Sequence, residues 1–227
     1  MEKFKEETED SKRFKEVDVK GDGSCMYRSI IRFIVDKQKM INHHPYFSKI
    51  FYRKDLNERE AAKSLQKVLK DWIIEHAKDT LDEFMNIEGT VEDLLLMDHE
   101  EVDSLETYHL LYEIFSGDDD YFEEESGEYN KKGSPIMKKV YIPTRWGGMT
   151  ELYAFYKIFQ IQIYQWVCKR WNRKEKKIES CSNMSKDKRY QLIQKIGGEE
   201  SNLPVILHLL YKDSEKSYKR HYLYLRE

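Results

Sequence analysis

The residues from Leu203 to Tyr211 are apolar almost without a break. Such a run reads as a central strand. Lys212 to Lys219 is a polar turn, and Arg220 to Arg226 alternates apolar with polar residues. The two apolar segments are expected to pair as a hairpin. Another strand is expected from Ile161, Ile163, Gln165 and Val167, which alternate with Gln162, Tyr164 and Trp166 and leave one wet face. Glu16 to Lys20 predicts a short strand, and Lys138 to Ile142 predicts an extended segment.

Helical spacing dominates earlier in the chain. Met26, Ile30, Phe33 and Ile34 recur at three- and four-residue steps, so a helix opens at Cys25. Glu58 to Phe84 predicts another helix, with room for one break and with Ala61, Leu65, Val68, Leu69 and Ile73 on its apolar stripe. Thr90 or Asp93 starts the next. Thr107 to Phe115 is a helix by length, and Thr150 caps one that runs to Phe159. Ser116 to Pro135 is rich in Gly, Ser and acid and is expected to be a mobile loop. Lys169 to Lys195 is basic and irregular. Helices early and strands late imply an α+β layered domain rather than a doubly wound one.

Charge adds a second constraint. The 227 residues include 39 basic and 42 acidic side chains, a net of −3. A near-neutral total argues against a general nucleic-acid binder. With 40% hydrophobic and 13% aromatic residues, the chain is not disordered. The acids are unevenly spread. From Asp79 to Asn130 there are 19 Asp and Glu and no Lys or Arg, which leaves a balance of +16 for the rest. A block of this kind is usually a solvated face or loop.

Three Cys make an odd count without a close pair, so neither a disulfide framework nor a zinc knuckle is expected. His43 and His44 carry no zinc spacing, and no metal or other cofactor is expected. The apolar runs fall far short of the ~20 residues of a membrane-spanning helix. The charged start, Met1 to Asp10, is not a signal peptide. The expectation is a soluble, cytoplasmic monomer with no nucleic-acid or membrane partner.

Cys25 is the residue best placed for chemistry. It follows the turn Gly21-Asp22-Gly23-Ser24 and opens an amphipathic helix. A helix N-terminus offers free N–H groups and partial positive charge, which favour a thiolate. The same N–H groups, with those of Gly23 and Ser24, can hold a developing oxyanion. A buried, inert Cys is the competing explanation. His221, at the start of the last strand, is the best candidate base; His208 is the rival but lies inside an apolar strand. Asp22 can orient the imidazole, or simply accept N–H bonds within its turn.

These residues resemble a known family. Gly21-Asp22-Gly23-Ser24-Cys25-Met26-Tyr27-Arg28-Ser29 resembles the nucleophile block of ovarian-tumour (OTU) domain cysteine proteases. Trp146-Gly147-Gly148-Met149-Thr150-Glu151-Leu152-Tyr153-Ala154 resembles the family's second block, and Arg220-His221-Tyr222 its C-terminal block. The resemblance implies a papain-like α+β fold. Residues 1–14 would then be a polar arm. Residues 15–227 would form one catalytic domain, with 37–140 a helical and acidic insertion.

The resemblance also implies a deubiquitinase that needs no cofactor. Cys25 would be the nucleophile, His221 the base and then the acid, and Asp22 the orienting group. Many family members carry Asp or Asn two residues after the His; this chain has Leu223 there. The Trp146 block would be chiefly architecture, its glycines allowing a tight turn and its helix packing on the sheet. Trp146, lining the channel for the Gly-Gly tail of ubiquitin, Gly147 and Tyr222 would be the candidate substrate-binding residues. Asp118, Asp119 and Asp120, in the acidic stretch, would meet that tail's arginines. The implied partners are ubiquitin, polyubiquitin chains or ubiquitin-like modifiers, in a host cytosol if the chain is viral or a bacterial effector. Two other classes stay open: a catalytically silent ubiquitin-binding protein, and a cysteine peptidase with a different substrate.

Overall fold

The computed structural model describes residues 8–10, 14–19, 24–53, 56–81, 88–98, 103–108, 121–130, 132–141, 147–172, 177–180, 188–197, 205–212 and 221–227. The elements in the first half are β1 (Thr8–Asp10), β2 (Lys15–Val17), α1 (Cys25–Asp36), α2 (Gln38–Ile41), α3 (Phe47–Ile50), α4 (Glu58–Glu75) and α5 (Val91–Asp98). Then come β3 (Tyr121–Tyr129), β4 (Pro135–Tyr141), α6 (Met149–Phe159), β5 (Gln162–Asn172), β6 (Lys177–Ser180), β7 (Lys188–Ile196), β8 (Ile206–Lys212) and β9 (His221–Arg226).

The fold is α+β, with a mostly antiparallel central sheet flanked by helices. Its strand order is β1-β7-β5-β8-β9-β2, and β6 pairs with β5. Among the described strands only β5 and β8 pair in parallel. The expected hairpin is present: Leu210 stands opposite Leu223 and Lys212 opposite His221. The apolar run of β8 divides between two cores, as a strand covered on both faces must. Leu207 and Leu209 join the helical core, and Leu210 joins a second cluster on the other face.

α1 forms where its apolar period predicts. It buries Met26, Ile30, Phe33 and Ile34 against Leu65 and Leu69 of α4 and against Tyr224 of β9. Each fully buried side chain of this size contributes about 1.5–3 kcal/mol. α4 starts at a capping box. Oδ1 of Asn57 accepts the N–H of Glu60 at 3.0 Å, and Oε2 of Glu60 accepts the N–H of Asn57 at 3.1 Å. α4 ends at Glu75, short of the expected Phe84. The chain then turns so that Thr80 can bridge to Thr90. Thr90 opens α5, and its hydroxyl accepts the N–H of Asp93 at 3.2 Å. Among the described residues, no helix is long and apolar enough to cross a membrane.

The structure departs from the sequence reading in three further places. The expected wet face of β5 is partly covered: Gln162 and Tyr164 are half-buried, and Trp166 is 3% exposed and packs with Phe14 and His208. The register shift beside Gln165 and Trp166 leaves Ile193 of β7 as the extra residue, so β5 keeps its alternation, and Trp166 is buried because its face meets the second core. The expected loop from Ser116 contains β3, paired with β4 in a sheet of its own. Register sets Glu123 opposite Lys139 and Glu124 opposite Lys138. The basic stretch after Lys169 contains the end of β5, β6 and most of β7. Within β5, Cys168 is disulfide-bonded, which corrects the expectation from spacing. The antiparallel return of β6 sets Lys169 opposite Ser180, so residues far apart in sequence become neighbours.

Candidate active site

Cys25 is the first residue of α1, is 7% exposed and takes part in no disulfide. The first turn of α1 carries no acidic side chain to offset the helix field at that end. Ser24 precedes it at the N-cap, and its Oγ accepts from Nε of Arg28 at 3.3 Å. Arg28 is itself buried and pairs with Glu58 at the start of α4 at 3.3 Å. Glu58 also pairs with Arg32. These contacts tie the helix that carries Cys25 to its neighbour within one turn of the sulfur.

β9 meets α1 at Tyr222. The N–H of Tyr222 donates to Sγ of Cys25 at 3.4 Å. Oγ of Ser29, one turn along α1, donates to the carbonyl of Tyr222 at 3.2 Å. Both backbone groups of one β9 residue are therefore bound by one helix. His221 immediately precedes Tyr222 in the chain, so the strand that carries it reaches the thiol. Leu223, the position where many OTU proteases have Asp or Asn, is 1% exposed and packs in the second core.

Tyr222 extends the site inward. Its phenol accepts from Nε2 of Gln165 at 3.3 Å, and its ring lies 5.2 Å from that of Tyr211. Burial holds the phenol well above its ordinary range, and the charges of Tyr211, Asp98 and Cys25 push the same way. The side chain is thus a neutral hydroxyl. Gln165 was not singled out as a site residue. The signal for it was a lone amide in the otherwise apolar series Ile161, Ile163, Val167.

Gly147 and Gly148 lead into α6, and Gly147 lies against Met26 and Tyr27 of α1. A Cβ on Gly147 would lie 1.9 Å from Cε of Met26 and 3.3 Å from Cζ of Tyr27. A side chain there would have to displace the end of Met26, the residue that follows Cys25. Thr150 is not the cap of α6. Gly148 takes that place, with its N–H donated to Oε2 of Glu151 at 2.7 Å. Thr150 instead gives its N–H and its hydroxyl to Oδ2 of Asp98, at 2.6 Å and 2.8 Å. Asp98 was hidden among 19 acids, and nothing in the sequence marked it out.

His208 is an internal residue. Its Nδ1 accepts from Nε1 of Trp166 at 3.0 Å, its Nε2 lies 3.5 Å from Oε1 of Glu227, and aromatic rings surround it. An indole N–H only donates, so Nδ1 must present its lone pair. Asp22, Gly23, Trp146, Asp118, Asp119 and Asp120 lie outside the described residues, as does the side chain of His221. Among the described residues, no three His, Cys, Asp or Glu side chains converge to hold a metal ion.

No protein-family model matches the chain, and no curated protein matches it in sequence. Solved structures do resemble it. The viral OTU domain protease from Qalyub virus is 13% identical over 97% of this chain and 89% of its own, with a TM-score of 0.43. The Farallon virus viral OTU domain protease is 13% identical over 97% and 88%, with a TM-score of 0.39. The Hazara virus OTU, solved bound to ubiquitin, is 13% identical over 97% and 86%, with a TM-score of 0.35. These scores are too low for overall likeness to decide function, and likeness of fold does not fix chemistry in any case.

Proposed function

We propose that the chain is a thiol-dependent deubiquitinase of the OTU type, acting through Cys25 and His221 in the cytosol. The observation that carries this reading is the 3.4 Å contact from the N–H of Tyr222 to Sγ of Cys25. It joins the two ends of a Cys-first, His-last pair that are nearly 200 residues apart in the chain. The three sequence blocks that resemble OTU proteases supply the substrate class.

The chemistry is that of a papain-like pair. His221 takes the thiol proton of Cys25. The thiolate attacks the carbonyl carbon of the last glycine of ubiquitin, and N–H groups at the head of α1, with those of Gly23 and Ser24, hold the oxyanion. His221 then protonates the leaving lysine amine as the C–N bond breaks and a thioester forms. Water, deprotonated by the same imidazole, hydrolyses the thioester. Asp22 is the proposed orienting residue. Asp118, Asp119 and Asp120 are proposed to attract the basic tail of ubiquitin, so their charge reversal should raise KM and weaken its salt dependence.

A ubiquitin probe with a C-terminal electrophile tests the reading. The expected result is a covalent adduct that Cys25→Ala abolishes and that forms far more slowly in a folded His221→Ala variant. A stable complex without a covalent bond would instead indicate a ubiquitin-binding protein. Neither adduct nor complex would indicate a peptidase with another substrate.

A further inference from the structure

We propose that Glu151 is a positioning residue for the Cys25 site, fixing the Gly147–Gly148 turn against the helix that carries the nucleophile. The inference rests on Cys25 being that nucleophile. Glu151 is 0% exposed. Its Oε2 accepts the N–H of Gly148 at 2.7 Å, and its Oε1 accepts the hydroxyl of Tyr108 at 3.1 Å. Tyr108 is also fully buried, and Nζ of the buried Lys70 lies 4.8 Å from the centre of its ring. A carboxylate in a dry interior is costly unless several partners compensate it.

Capping alone does not call for that arrangement. Glu60 makes the same bond to its N-cap amide at the start of α4 from the protein surface, with its side chain 40% exposed. The buried version links three segments instead: α4 through Lys70, the helical turn 105–108 through Tyr108, and the head of α6. What it holds is the turn whose Gly147 lies against Met26 and Tyr27. Asp98 grips the same helix end from the other side through Thr150. Glu151 touches neither the thiol nor a reacting atom, so it acts through the turn. A turn held beside the first residues of α1 sets how a substrate backbone lies along Cys25. Misplacing it should cost alignment, and so kcat, more than it costs the binding made elsewhere on ubiquitin.

The test uses Glu151→Gln and Tyr108→Phe in the full chain, with folding checked by circular dichroism. Gln has a single acceptor oxygen for the two donors, and Phe keeps the ring beside Lys70 but removes the hydroxyl. On ubiquitin carrying a C-terminal fluorogenic amide, kcat should fall about tenfold with KM within about twofold. Alkylation of Cys25 by iodoacetamide should stay within about twofold, because the thiol itself is untouched. Wild-type kcat in the folded variants, or an equal loss in the iodoacetamide rate, would overturn the proposal. Should the unaltered chain turn over no ubiquitin amide, the deubiquitinase reading fails separately. Hydrogen exchange then decides the positioning role. A rise of about tenfold at the Gly148 amide in Glu151→Gln, with the rest of α6 protected, supports it, and unchanged exchange overturns it.

Discussion

The N–H of Tyr222 donates to Sγ of Cys25 across 3.4 Å. The hydroxyl of Ser29 takes the carbonyl of the same residue. β9 is thereby pinned to α1 at the point where its chain continues back to His221. In the proposed Cys25–His221 pair, alignment then depends on Ser29 through the backbone of Tyr222.

Ser29→Ala tests this dependence. Ser29 is fully buried, so its loss leaves the Tyr222 carbonyl without that donor. About 1 kcal/mol of stability should go, a fall of roughly 2–4 °C in Tm for a chain of this size. The rate of Cys25 labelling by a ubiquitin electrophile should drop several-fold at a temperature where the variant is fully folded. Unchanged labelling in a destabilised variant would show that the contact serves the fold alone.

Tyr222→Phe separates the backbone of that residue from its side chain. The N–H to Cys25 is kept, and the hydroxyl bound to Gln165 is lost. The variant should lose about 1 kcal/mol, from the unpaired amide of Gln165, while turnover stays within about twofold. A loss of tenfold or more would place the phenol in the chemistry.

Gly147→Ala probes the packing behind the thiol. The new methyl would meet the end of Met26, which is 1% exposed and has little space to retreat into. Overpacking should cost about 1–3 kcal/mol. Met26→Ala removes the obstructing atoms, so adding Gly147→Ala to it should cost much less. Urea denaturation of the wild type, both single variants and the double variant gives the coupling, expected near 1 kcal/mol or more. An additive cycle would mean that Met26 does not define the room at Gly147.

The sequence made this site partly legible, for reasons that differ by residue. Cys25 was readable because a glycine turn and a 3.6-residue period meet there, and both signals are local. The pairing of β8 with β9 was readable because one polar turn joins two apolar runs. Asp98 and Glu151 were not readable. Their roles come from contacts between segments far apart in the chain, Thr150 with Asp98 and Glu151 with Tyr108. The partly covered outer face of β5 was hidden for the same reason, since Phe14 arrives from the other end of the chain to pack on Trp166. β3 was hidden by its charge, which composition reads as a loop until Lys138 and Lys139 are set opposite.

His44 should make stability depend on pH. Its Nδ1 accepts the N–H of Tyr46 at 3.4 Å, and its ring lies 4.7 Å from that of Phe159. Burial holds its pKa below the ordinary 6.5; a bond to the Ile158 backbone opposes this in part, and His43 adds to it. The folded chain therefore binds fewer protons at this site than the unfolded chain does just below pH 6.5. Stability rises with pH wherever the unfolded state holds more protons. The contribution of His44 is thus complete above 6.5 and is lost as pH falls from there through the lower folded value. His44→Asn removes the titration. In urea denaturation, the wild type should lose more stability than the variant between pH 7.5 and 5.5, and the difference between the two proteins isolates this one site from the other titrating groups. Parallel curves would show that the imidazole is not held in its neutral form by the fold.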